Sequence, residues 1–140
     1  MAKDDPNRGQ EGSINSLGIK ALLLDMDGLL YHGDQPLAGA RVFLQKLRHF
    51  PHLFITNNPI LPPQAIAAKL ERIGLPRPDP ARILTSAGAT AQLLARQRTG
   101  FRYFAVGAEG QHSALEAVGT ADAYAADFVV VGEGAGLDYY

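Results

Sequence analysis

In a chain of 140 residues, 46% hydrophobic side chains against 19% charged ones suffice for a single core of ordinary size, either one domain or part of a larger one. Thirteen basic and fourteen acidic residues leave a net charge of -1, which excludes the basic field that draws nucleic acid or an anionic membrane surface and points to a small, locally recognised partner. Cysteine is absent, so disulfides and thiolate metal sites are excluded and a reducing, cytoplasmic setting is the expectation.

Residues 1–18, MAKDDPNRGQEGSINSLG, are polar, carry both charge signs and lack the apolar stretch of a signal peptide; they read as a flexible tail. No later apolar run has membrane-spanning length. KALLLD, residues 20–25, is a continuous apolar run too short for a helix, the pattern of a parallel-sheet strand covered on both faces. After Pro36, AGARVFLQKLRHF brings Phe43, Leu47 and Phe50 round at helical spacing until Pro51 blocks continuation, which predicts a crossover helix. HLFIT, residues 52–56, is the next buried strand. Pro62 and Pro63 then start a helix with Ile66, Leu70 and Ile73 on one face and Gly74 as its stop. RILT, residues 82–85, predicts a third strand, with Ser86 as N-cap of a helix to about Arg98.

Three such units predict an α/β fold with a doubly wound parallel sheet. Beyond Gly100 come a strand, FRYFAVG, a modest helix between Glu109 and Val118, and a last strand, DFVVVG, over residues 127–132. That strand is followed by GEGAGLDYY and no closing helix, so the sheet reads as incomplete.

Reactive groups in open α/β sheets collect at the carboxyl ends of strands. In LLLDMDGLLYHG, Asp25 and Asp27 stand at such an end with one residue between them, so in extended chain their carboxylates point the same way, and Gly28 turns the chain sharply behind them. Two like charges this close repel unless a cation or backbone donors compensate. A bound Mg2+ would remove the conflict and would also neutralise a phosphate dianion approaching a carboxylate. Taken singly, an acidic pair can be a solvated loop, and the apolar strand in front with glycine behind argues against it. FITNN places Thr56, Asn57 and Asn58 at the same sheet edge, where hydroxyl, amide and backbone N–H groups can hold phosphate oxygens without adding charge. Taken alone, those three residues read as a helix cap or Asx-turn.

The pattern of an apolar run ending in DxDGxxY, followed about thirty residues later by an apolar run ending in TNN, resembles the first two motifs of the haloacid dehalogenase (HAD) superfamily of phosphatases. More narrowly it is similar to subfamily IIA, the NagD and p-nitrophenyl phosphatase group, which includes phosphoglycolate and pyridoxal phosphate phosphatases. LTSAGATAQLL, VGAEG and DFVVVGEG extend the match over roughly residues 19–136. The resemblance implies a Rossmann-like core whose first part is residues 19–99, and the truncated start of an α/β cap domain in residues 100–140. It implies Mg2+-dependent hydrolysis of a small phosphorylated metabolite, with Asp25 as the nucleophile that forms an aspartyl-phosphate and binds the metal through its other oxygen. Asp27 would be the acid/base, its backbone carbonyl a further metal ligand. Thr56, Asn57, Asn58 and Gly28 would bind or surround the phosphoryl group. Asp27 favours phosphoryl transfer over dehalogenation.

Two departures stand against a complete site. No lysine occupies a strand end after TNN: Lys46 and Lys69 fall inside predicted helices, Lys3 in the tail and Lys20 ahead of the first strand. The GDxxxTD acidic motif is absent, although GEGAGLD, with Glu133 and Asp138, imitates it. The expectation is therefore a phosphoric monoester hydrolase whose 140-residue span is weak or inactive by itself, and the alternative is a truncated, non-catalytic domain that binds a partner or folds incompletely. Self-association through exposed strand edges is a further expectation. His32, His49, His52 and His112 lack metal-ligand spacing and read as surface residues, Tyr31 as packing beneath the acidic loop, and VGAEG as lacking the order of a dinucleotide-binding loop.

Overall fold

The computed structural model describes residues 18–134, so almost all of the predicted tail, together with Asp138, Tyr139 and Tyr140, lies outside the described residues. The chain opens with strand β1 (Leu22–Asp25) and a small hairpin of β2 (Tyr31–His32) and β3 (Gln35–Pro36). Helix α1 (Ala40–Leu47), strand β4 (His52–Thr56), helix α2 (Pro63–Arg72), strand β5 (Ile83–Thr85) and helix α3 (Ser86–Gln97) follow. β1, β4 and β5 form one parallel sheet in that order, in a register that puts Leu24, Phe54 and Ile83 in one row. This row is buried against Leu44, Leu47, Ile66 and Leu70 of α1 and α2. Crossovers between neighbouring parallel strands of one hand place both helices on the same face.

The other face is different from the expectation for KALLLD. Leu23 is 69% exposed, so among the described residues β1 is covered on one side only. The α1 face is also rotated from the predicted one. Ala40, Leu44 and Leu47 are buried while Phe43 is exposed and Phe50 only partly covered; a small residue on the buried face is what counting bulky residues overlooks. The α2 face matches, with Ile66 and Leu70 buried and Ile73 packed beside them.

A second parallel sheet contains β6 (Arg102–Val106), β7 (Thr120–Ala121) and β8 (Phe128–Val131) in the order β7-β6-β8, with helix α4 (Glu109–Glu116) between the first two in sequence. Its core of Phe101, Tyr103 and Leu115 takes in Ala91 and Leu94 from α3. The two sheets meet at α4, where the Gly110 amide donates to the Ile60 carbonyl at 2.8 Å. A Cβ at residue 110 would lie 2.6 Å from the Pro59 carbonyl, so glycine permits this approach to the loop after β4. Inside the second unit, the buried Gln111 amide donates to the carbonyls of Val130 at 3.0 Å and Val106 at 3.4 Å, tying β8 to β6. Among the described residues no helix is long and apolar enough to cross a membrane.

Candidate active site

Asp25 ends β1 opposite Ile55, and one residue further along the sheet edge Thr56 stands opposite Thr85. Parallel strands therefore deliver all three side chains to one carboxyl edge. With Asn57 and Ser86 they line a shallow cleft of about 320 Å³. The Asp25 Oδ1 accepts from the Met26 amide at 2.8 Å, which orients the carboxylate and leaves Oδ2 without a hydrogen-bond partner among the described residues. Met26 is fully buried, and with Asp25 and Asp27 exposed on either side of it the segment keeps strand-like alternation past the end of β1.

Behind the acids the chain folds back on itself. Gly28 adopts φ +80°, its amide donates to the Tyr31 carbonyl at 2.8 Å, and the Leu30 amide donates to the Met26 carbonyl at 2.9 Å. Nothing lies within 4 Å of a Cβ built at Gly28, so the demand for glycine there is conformational. Tyr31 is buried beneath this loop, as its position suggests. Burial pushes its phenol above the ordinary tyrosine value, and the nearby carboxylates of Asp27 and then Asp25 push the same way. Asp27 itself is exposed, with His32 Nδ1 4.0 Å from its Oδ1. It does not line the cleft.

Thr56 is buried, and its Oγ1 accepts from the Asn58 amide at 3.2 Å, which leaves the hydroxyl proton free to be donated. Asn58 Oδ1 accepts from the Ile60 amide at 2.7 Å, the local turn that asparagine makes on its own backbone; its side chain is outside the cleft lining. Asn57 borders the cleft and its carbonyl accepts from the Ser86 hydroxyl at 3.0 Å. Ser86 is therefore the first residue of α3, and the cap is Thr85, whose Oγ1 accepts from the Gly88 amide at 3.0 Å. The predicted cap is corrected by one position. Thr and Ser are both competent N-caps, and the strand's extension through Thr85 decides between them. Because α3 starts at the cleft wall, the positive end of its dipole borders the same space.

The four histidines differ in setting. His52 is half-buried, its ring edge-on to Phe54, with Nδ1 2.6 Å from the Phe50 carbonyl, which corrects its reading as a surface residue. Lys69, inside α2 as expected, holds its ammonium over the Tyr31 ring, 4.5 Å from the centroid, and 3.7 Å from Asp34 Oδ1. It supports the acidic loop from beneath and does not line the cleft. Glu133 borders an adjoining cleft of about 280 Å³ that it shares with Asn57, Ser86 and Gln111 but not with Asp25 or Asp27.

Among the described residues no three His, Asp or Glu side chains gather in metal-binding geometry. The oxygen donors at Asp25 and Asp27 still suit one hard divalent cation of the Mg2+ type, which commonly takes one or two protein carboxylates and completes its shell with carbonyl, water and phosphate oxygens.

Residues 22–121 match the family described as haloacid dehalogenase-like hydrolase. The chain is similar to an acid sugar phosphatase of Staphylococcus saprophyticus, with 37% identity over 117 residues that make up 81% of this chain and 45% of that protein. It is also similar to the 5'-nucleotidase YutF of Bacillus subtilis, 36% identical over 123 residues, or 86% of this chain and 48% of that one. The solved structure of glycerol phosphate phosphatase Rv1692 from Mycobacterium tuberculosis in complex with magnesium superposes with a TM-score of 0.79 at 29% identity, covering 89% of this chain and 39% of that one. The chain spans about half the length of the curated relatives it matches.

Proposed function

This chain belongs to the haloacid dehalogenase-like hydrolase family, and we propose that it carries the nucleophile-bearing part of a phosphatase acting on a small phosphomonoester. The observation that carries this reading is the convergence of Asp25, with one carboxylate oxygen held and the other free, and the Thr56 hydroxyl on one cleft at the carboxyl edge of a parallel sheet. The Asp25 carboxylate and the Asp27 backbone carbonyl are the groups that would hold Mg2+, as suits hard oxygen donors and the magnesium in the related Rv1692 structure, and this leaves the Asp27 carboxyl for proton transfer. When bound, the ion supplies charge neutralisation for the carboxylate and the phosphate dianion.

In this reading the free oxygen of Asp25 attacks phosphorus in line with the ester oxygen; the new O–P bond forms as the old one breaks, and Asp27 gives a proton to the departing alkoxide. The phosphoryl oxygens are received by the Thr56 hydroxyl and by the start of α3, donors that add no negative charge. Asp27 then takes a proton from a water that attacks the aspartyl-phosphate, and cleavage of the O–P bond to Asp25 frees inorganic phosphate. Asn57 shapes the wall, and Asn58 shapes the loop through its bond to Ile60.

The test is phosphate release from p-nitrophenyl phosphate with and without Mg2+, by the chain and by any longer protein that contains it, each beside its Asp25→Asn variant. Loss of at least about a thousandfold in the variant is expected of a covalent nucleophile, and activity that survives the change overturns the assignment. A second reading, a non-catalytic domain that docks a partner, draws on the exposed sheet face around Leu23. It gains if neither form releases phosphate.

A further inference from the structure

At the amino ends of β4 and β5, across the sheet from the carboxylates, the structure holds a hollow of about 890 Å³. Its floor is apolar: Leu44, Phe54 and Leu75 are all buried. Its walls are cationic. Arg41 in the first turn of α1 and Arg48 at its C-cap, two turns apart, form one side. Arg77 and Arg82 rise from the segment between α2 and β5 on the other.

Two carboxylates also line the hollow, and both are engaged. Glu71 Oε2 accepts from Arg77 Nη1 at 2.9 Å, and Asp79 Oδ1 accepts from the Ala81 amide at 3.0 Å. Four guanidinium groups against two carboxylates leave two positive charges in one cavity of a chain whose net charge is -1. Arg41 and Arg82, on opposite walls, have no ion pair or side-chain hydrogen bond among the described residues, and Arg48 uses only its Nε, toward His49. Like charges that converge over an apolar floor repel one another until an anion joins them. Arginine is suited to that task, since its planar fork pairs with phosphate oxygens and stacks on flat rings.

We propose that this hollow is a binding site for a small polyanion that carries an aromatic ring, the chemistry of a nucleoside polyphosphate. The volume lies in the range of small-molecule sites, far more than a lone phosphate fills. The ring would lie against the half-buried Pro76 and Pro78 while the phosphates bridge Arg41 and Arg82. Phosphates held at the strands' amino ends lie across the sheet from Asp25, so the site binds without reacting.

Isothermal titration of the full chain with ATP, in EDTA so that no divalent cation bridges ATP to the acids, tests this directly. Saturable binding below about 1 mM is expected, weakened at least tenfold in Arg41→Ala/Arg82→Ala, whose unchanged circular dichroism would show that these exposed positions leave the fold intact. Pyrophosphate, with charge but no ring, and adenosine, with ring but no charge, should each bind at least tenfold more weakly. Asp25→Asn should bind as the parent does, which separates this site from the cleft. No saturable binding, equal binding by the double arginine variant, or loss of binding in Asp25→Asn overturns the proposal.

Discussion

A turn that must present two carboxylates side by side has little freedom in its backbone, and Gly28 bears that constraint. At φ +80° with open space around it, the position penalises any side chain through the backbone alone, so Gly28→Ala should cost about 1–2 kcal/mol, read as a lower urea midpoint with an unchanged slope. Tyr31 adds a pH dependence. Its folded-state phenol is raised above the ordinary value of 10.0 by burial and the two acids, so the neutral form is the one the fold favours. The stability linked to it is complete below about pH 10 and is lost as pH rises through the raised value. Denaturant titrations at rising alkaline pH should show that loss in the parent and a flatter limb in Tyr31→Phe. The places of Asp25 and Thr56 at the carboxyl edge of the sheet are legible in the sequence because each closes an apolar run, and the end of a buried strand is a defined place in an α/β sheet. Thr85 is not legible, because adjacent Thr and Ser offer equivalent caps and only the length of β5 chooses between them. Lys69 is hidden for another reason: its contact with Tyr31 joins two elements far apart in the chain, which no local spacing encodes.

Between elements, the second sheet depends on a polar side chain where its packing would suggest an apolar one. Gln111 sits on α4 among residues whose pattern predicts only a modest helix, yet it is buried and donates to β6 and β8 at once. Gln111→Leu keeps similar volume while removing both side-chain bonds, although the Val106 carbonyl keeps the Gly132 amide at 2.8 Å. It should therefore destabilise by about 1–3 kcal/mol, seen as a lower unfolding midpoint and as faster amide exchange in β8 ahead of β1. Equal protection of both strands would show that the strap carries no load. The same helix reaches the loop after β4 through Gly110, so the element that organises the second sheet also abuts the segment holding Asn57 and Asn58. Strand order and helix order follow from the alternation of apolar runs and proline-marked starts. The helix faces are less legible. In α1 a small residue, Ala40, is buried while Phe43 stays outside, and α3 turns its buried residues Ala91 and Leu94 to the second core.

Over the whole molecule, both sheets are one-sided among the described residues. Leu23 of β1 is 69% exposed, and Val129 and Val131 of β8 are 67% and 69% exposed, each alternating with a more buried neighbour. This is the residue choice of strands covered on both faces. Buried apolar surface is worth roughly 25 cal/mol per Å², so three large aliphatic side chains left in water represent several kcal/mol that association can recover, less the cost of ordering the partners. The 140-residue chain should therefore self-associate. Sedimentation velocity over a roughly hundredfold range of concentration should show mass rising with concentration. Leu23→Lys combined with Val129→Lys and Val131→Lys should shift the chain to monomer without changing its far-ultraviolet dichroism, because all three side chains face solvent in the single copy. A parent that stays monomeric over the whole range would show that these faces are not self-complementary, and that a surface of different shape is needed to cover them.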